Sequence, residues 1–224
     1  MNDVSYRVVN QGEMYPYVIF DNWFTEEEEK KIWSEINFYT ASLPNEIKND
    51  TDVAQIPNDE EKMISAVKGL RWYPIMHFDK NNLVEFPISS IISTTNKTLG
   101  KSFRDVMIEG CNPYGRQWKD NTFFPSAKTA GIIVTYYGEN DEYLPHHDSA
   151  CWTQLVWMVK DEEAMELGSG DLEFPEINHI VPLKNNRCVF FPSCYIHTSR
   201  PIKFKKQNPV IGDGKYTITT FHGY

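Results

Sequence analysis

The hydrophobic positions of this chain change period near residue 131, and the two halves differ in character. In the first half apolar residues recur at intervals of three and four, the helical period. Ile32, Trp33, Ile36 and Tyr39 form one stripe with Glu and Lys opposite, which predicts a helix over 26–39. Thr25 stands as its N-cap, and Glu28 completes a capping box. The acidic run 26–29 reads as a solvated first turn favoured by the helix dipole. Further helices are expected over 58–69 and over 87–108, the latter with a core-packing stripe that includes Ile88, Ile91, Ile92, Leu99 and Phe103. A short buried strand over 15–20 precedes the first helix, and 70–75 reads as extended. The polar stretches 41–59 and 112–126 read as loops. The second of these holds Arg116, Trp118 and Lys119, which anchor the loop or line a channel.

From residue 131 short β-rich runs follow at close spacing, over 132–137, 151–159, 171–174, 179–183, 187–191, 196–202 and 216–221. Gly138, Gly168-Ser169-Gly170, Pro175, Asn185-Asn186, Pro192 and Gly212-Asp213-Gly214 punctuate them. The pattern predicts an all-β core with flanking helices, a jelly roll whose major sheet carries the N-terminal helices. With 224 residues, one domain is expected: helical support and substrate-side loops over 1–130, then the roll over 131–224.

Composition narrows the function classes. A net charge of −9 argues against a surface built for phosphate backbone, so no nucleic-acid partner is expected. No apolar run is long enough to span a bilayer, no leader pattern opens the chain, and Cys111, Cys151, Cys188 and Cys194 show no CxxC spacing. Free thiols in a reducing cytoplasm, without a membrane partner, are the expectation.

The candidate chemistry lies in the second half. His146 and Asp148 bracket one residue, and in an extended segment residues two apart share a face, so both can address one centre while His147 points away. His197 lies in a later predicted strand that can bring a third ligand. Two imidazoles and one carboxylate form the facial set that holds non-haem Fe(II) and leaves coordination positions open. Lys215 and Thr217 share a face of the last strand and suit a carboxylate. His77, His147, His179 and His222 lack such a pattern.

In order along the chain, Tyr136-Tyr137-Gly138, Tyr143-Leu144-Pro145-His146-His147-Asp148, Thr153, Gly168-Ser169-Gly170-Asp171-Leu172-Glu173-Phe174, Val181-Pro182, Val189-Phe190-Phe191-Pro192-Ser193, His197 and Lys215-Tyr216-Thr217-Ile218-Thr219 resemble the Fe(II)/2-oxoglutarate dioxygenases of the prolyl 4-hydroxylase type. The resemblance implies a double-stranded β-helix, the cupin-like jelly roll. It implies iron on His146, Asp148 and His197, and Lys215 on the distal carboxylate of 2-oxoglutarate. Thr217 and Tyr136 would donate to the same carboxylate, and Trp157 would wall the pocket. The gap from His197 to Lys215 is longer than is usual in the family and holds Lys203, Lys205 and Lys206, none in a comparable β-pattern. The activity implied is hydroxylation of a prolyl residue in a peptide or protein, with O2 consumed, succinate and CO2 released, and ascorbate as a reductant. Asp148 speaks against halogenation, because related halogenases carry a small residue there. A free amino acid or other small molecule is the alternative substrate. From another class, a non-catalytic jelly-roll binding module would be marked by a lost ligand, and none is lost here.

Overall fold

The computed structural model describes residues 5–10, 15–42, 71–72, 77–79, 82–84, 129–206, 208–210 and 212–223. Its first strands are β1 (Ser5–Val9) and β2 (Tyr17–Asp21), followed by α1 (Glu26–Ser42) and three short strands, β3 (Arg71–Trp72), β4 (His77–Asp79) and β5 (Asn82–Val84). Then come β6 (Thr129–Tyr137), β7 (Tyr143–His146), β8 (Trp152–Val159), β9 (Leu172–Phe174), β10 (His179–Val181), β11 (Arg187–Pro192), β12 (His197–Ser199) and β13 (Lys215–Gly223). The major sheet runs β1-β2-β11-β8-β13-β6-β3 and the minor sheet β10-β9-β12-β7, while β4 and β5 pair by themselves. Chain neighbours β6 and β7, β7 and β8, β11 and β12, and β12 and β13 lie in different sheets. All pairs are antiparallel. That winding is the double-stranded β-helix.

Strand β8 shows why its sequence reads as a continuous apolar run rather than an alternation. All eight of its residues are buried, because both faces of the major sheet are covered. Leu155 and Trp157 face the inside of the roll with Val189, Phe191 and Phe174. Val156 and Met158 face outward and pack with Ile32 and Ile36 of α1. Trp33 adds an edge-on contact to Tyr216 at 5.8 Å. Burying one such aliphatic or aromatic side chain stabilises by roughly 1.5–3 kcal/mol. Helix α1 therefore packs against the outer side of β8.

The entry to α1 is pinned twice. The capping box forms in full: Thr25 N donates to Glu28 Oε2 at 2.9 Å, and Glu28 N donates to Thr25 Oγ1 at 3.3 Å. Across the molecule, Asn186 takes a left-handed conformation (φ 56°) in the β10–β11 turn. Its Oδ1 accepts from Phe24 N (2.7 Å), and its Nδ2 donates to Phe24 O (2.8 Å). Next to it, Arg187 grips Asp21 through Nε (2.6 Å) and Nη2 (3.0 Å), which ties β2 to β11. That hydrogen bond and charge hold the Asp21 carboxyl below its ordinary pKa.

The structure differs from the sequence pattern in local ways. Strand β1 forms by pairing with β2, although Ser5-Tyr6-Arg7-Val8-Val9 carries no clean alternation. The run expected over 196–202 pairs only as His197–Ser199, and Pro201 beyond it has no N–H for a ladder. Helix α1 extends to Ser42. The helices expected over 58–69 and 87–108 and the loop over 112–126 lie outside the described residues, as does most of 41–59. No helix among the described residues is long and apolar enough to cross a membrane.

Candidate metal centre and carboxylate pocket

His146 ends β7, His197 begins β12, and the two are register partners. Pairing across the minor sheet sets their rings side by side, with centroids 4.2 Å apart. Asp148 itself is not a paired residue of the strand. It lies two residues past the end of β7, where its N–H donates to Ser193 O at 2.9 Å. Its carboxylate sits between the imidazoles, Oδ1 at 3.6 Å from His146 Nε2 and Oδ2 at 3.5 Å from His197 Nε2. The three candidate ligand atoms lie within 4.8 Å of one another, a grouping that no other His, Cys, Asp or Glu set among the described residues matches.

Hydrogen bonds choose the tautomers. His146 Nδ1 is 2.8 Å from Leu144 O, and His197 Nδ1 is 3.0 Å from Tyr195 O. A carbonyl has no proton to give, so each Nδ1 carries the hydrogen and each Nε2 presents its lone pair to the centre. Burial, opposed by the Asp148 charge, holds His197 below its ordinary pKa and keeps the imidazole neutral. Two neutral nitrogens and one carboxylate oxygen, converging and oriented from behind, fit a divalent transition metal.

A second polar group lies on the inner face of β13. Lys215 is 2% exposed. Its Nζ donates to Gly170 O (2.9 Å) and Ser199 Oγ (2.5 Å) and sits 4.6 Å from the Tyr137 ring and 5.9 Å from that of Trp157. Desolvation lowers its pKa from 10.5 to about 7, with Asp171 opposing. Two acceptors for three donors, and no carboxylate in contact, leave the ammonium short of a counter-anion among the described residues. Thr217, two residues along the same face, is buried, and its Oγ1 has no hydrogen-bond partner among the described residues. An underpaired cation beside an orphaned hydroxyl is a cradle for an anionic group. Ser199 is two residues beyond His197 on β12, so the cradle adjoins the ligand cluster.

The structure brings His146, Asp148 and His197 together, and sets Lys215, Thr217 and Trp157 on one inner face. Tyr136 it does not bring there. Tyr136 is the register partner of Tyr216, whereas Lys215 faces Tyr137, and alternate residues of a strand point to opposite faces. Tyr136 therefore packs in the outer cluster beneath α1, and its hydroxyl accepts from Gly212 N (3.0 Å) and Gly214 N (3.2 Å). Tyr137 is the tyrosine beside the lysine. Parity counted back from Lys215 would have found it only with the β6–β13 register in hand.

Lys203, Lys205 and Lys206 are engaged elsewhere, with Asn140, the Glu163 carbonyl and Asp213. His147 is exposed, and His222 contacts Gln154 at 3.1 Å. Cys188 is buried, Cys151 half-buried and Cys194 exposed, all as free thiols.

No protein-family profile matches the chain, and no curated protein matches its sequence. Among solved structures, a prolyl-4-hydroxylase from Pseudomonas putida is similar at 9% identity and a TM-score of 0.58, over 94% of this chain and 94% of that one. A prolyl hydroxylase from Trichoplax adhaerens, solved with a peptide fragment of the hypoxia inducible factor oxygen degradation domain, is similar at 15% identity and a TM-score of 0.56. That match covers 92% of this chain and 83% of the other. At such identities the likeness is one of fold: this chain has the prolyl 4-hydroxylase-like fold of those two structures, a double-stranded β-helix.

Proposed function

We propose that this chain is an Fe(II)- and 2-oxoglutarate-dependent oxygenase that hydroxylates a prolyl residue in a peptide or protein. The observation that carries the proposal is the pairing of a His146–Asp148–His197 cluster on the minor sheet with an anion cradle at Lys215 and Thr217 on the major sheet of one roll. Nε2 of each histidine and the Asp148 carboxylate hold the metal. Bound there, Fe(II) with 2-oxoglutarate and O2 supplies hydroxylating chemistry: a C–H bond becomes C–OH, and 2-oxoglutarate leaves as succinate and CO2.

The chain's own residues do the positioning. The Leu144 and Tyr195 carbonyls keep both Nδ1 protons off the metal side. Lys215 and Thr217 grip the distal carboxylate of 2-oxoglutarate, and Ser199 keeps the lysine on station before the co-substrate arrives. Trp157 and Tyr137 wall the cradle, exclude water and strengthen the ammonium–carboxylate attraction. The prolyl part of the reading is supported by the two hydroxylases of like fold, one of which was solved with a peptide.

The test is turnover. Purified protein with Fe(II), 2-oxoglutarate, ascorbate and a panel of proline-containing peptides should release succinate and add one oxygen atom to a peptide. His146→Ala and Asp148→Ala should abolish both products while keeping the fold. Succinate without any modified peptide rejects the prolyl substrate and points to a small molecule. No succinate under any condition rejects the oxygenase.

A further inference from the structure

Two buried hydroxyls outside the ligand set converge on Asp148. Thr153 Oγ1, on β8, donates to Asp148 Oδ2 at 2.5 Å, and Ser193 Oγ, just past the end of β11, lies 2.8 Å from Thr153 Oγ1. Both residues are fully buried. β8 and β11 are paired, with Thr153 opposite Phe191, so the turn that follows β11 brings Ser193 beside Thr153. For satisfying the core alone, a Val at 153 would pack as well without a hydroxyl to bury.

Proton counting gives the chain a direction. A carboxylate that binds a metal is ionised and can only accept. Thr153 therefore spends its single proton on Asp148 Oδ2. Its oxygen is left to accept, so Ser193 Oγ donates to it. The bonds run one way, from Ser193 to Thr153 to Asp148. Ser193 also holds the main chain of the ligand: its carbonyl accepts from Asp148 N at 2.9 Å, while its own N–H donates to Cys151 O at 3.2 Å. One residue thus fixes both the backbone and, through Thr153, the carboxylate of Asp148.

We propose that the Ser193–Thr153 relay is the positioning device for the carboxylate ligand, and that it makes Asp148 a one-oxygen donor. Oδ2 is committed to Thr153. Oδ1 receives no hydrogen bond among the described residues and is the oxygen left for the metal. The relay also accounts for how Asp148, beyond the last paired residue of β7, keeps a defined rotamer. The proposal rests on the metal reading of the triad.

The experiment titrates Co(II) into the metal-free full chain and follows its visible absorption, a readout independent of turnover. Thr153→Val keeps the shape and removes the hydroxyl. Its Co(II) affinity should fall about ten- to a hundredfold, and Thr153→Ser should restore it to within about threefold. Ser193→Ala should fall between them, because Thr153 then loses its donor but keeps its bond to Asp148. Melting temperatures of the metal-free forms report folding. A merely structural role would move those temperatures and leave affinity and spectrum alone, an outcome that overturns the relay. If Thr153→Val does not fold, Ser193→Ala decides, and wild-type affinity there overturns the proposal as well. His146→Ala separates the two levels of failure. If the wild type binds no Co(II), or His146→Ala binds it equally well, the metal reading falls and the relay with it.

Discussion

Replacing Lys215 by Met should make the ligand-free protein more stable and useless to the co-substrate at once. The ammonium is buried, and its pKa drops from 10.5 to about 7. A difference of about 3.5 units at 1.36 kcal/mol each makes charging this site cost about 5 kcal/mol relative to the unfolded chain. The sign follows from proton counting. Between about pH 7 and 10.5 the unfolded chain holds a proton on Lys215 that the folded protein lacks, so stability rises with pH across that window and the cost is fully present below it. Met removes the charge but leaves Gly170 O and Ser199 Oγ without their donor, at about 1 kcal/mol each. The net gain near neutral pH and below is then about 3 kcal/mol, roughly 6–12 °C in melting temperature for a chain of this length. Thermal melts of metal-free wild type and Lys215→Met across pH, with and without 2-oxoglutarate, measure both halves. The difference between the two proteins should shrink as pH rises from about 7, and 2-oxoglutarate should stabilise only the wild type. A pH-independent difference, or equal stabilisation by 2-oxoglutarate, would refute the reasoning.

Two further outcomes probe neighbouring assignments. Tyr136→Phe removes the acceptor for the Gly212 and Gly214 N–H groups. It should cost about 1–3 kcal/mol in denaturant unfolding and leave the KM for 2-oxoglutarate unchanged; a raised KM with unaltered stability would return Tyr136 to the pocket. Gly170→Ala places a Cβ 2.5 Å from Ile202 Cδ1 at a φ of +67°. It should destabilise by about 1–2 kcal/mol for the left-handed backbone alone. It should also raise the KM for 2-oxoglutarate, because the Gly170 carbonyl that holds Lys215 must shift.

Much of this protein is legible in short stretches of its sequence. Thr25 and Glu28 specify the start of α1 because both capping partners lie within one turn of each other. The turn residues after residue 131 mark a strand-rich half, and the HxD spacing with a later histidine singles out the three side chains that the fold clusters, since those choices depend on residue type and local period. The three-dimensional pairing decides what local period cannot. Of two adjacent tyrosines, Tyr137 rather than Tyr136 meets Lys215, because β6 pairs with β13 in one register and a slip of one residue would exchange the faces. Asp148, past the last paired residue of β7, is held at the centre by a backbone hydrogen bond to Ser193, forty-five residues on. Thr153 and Ser193, forty residues apart, meet only because β8 and β11 are neighbours. Local chemistry is written in spacings of two to four residues, whereas the direction in which a strand residue points, and the partner it finds across a sheet, follow from long-range pairing that the whole roll must form together.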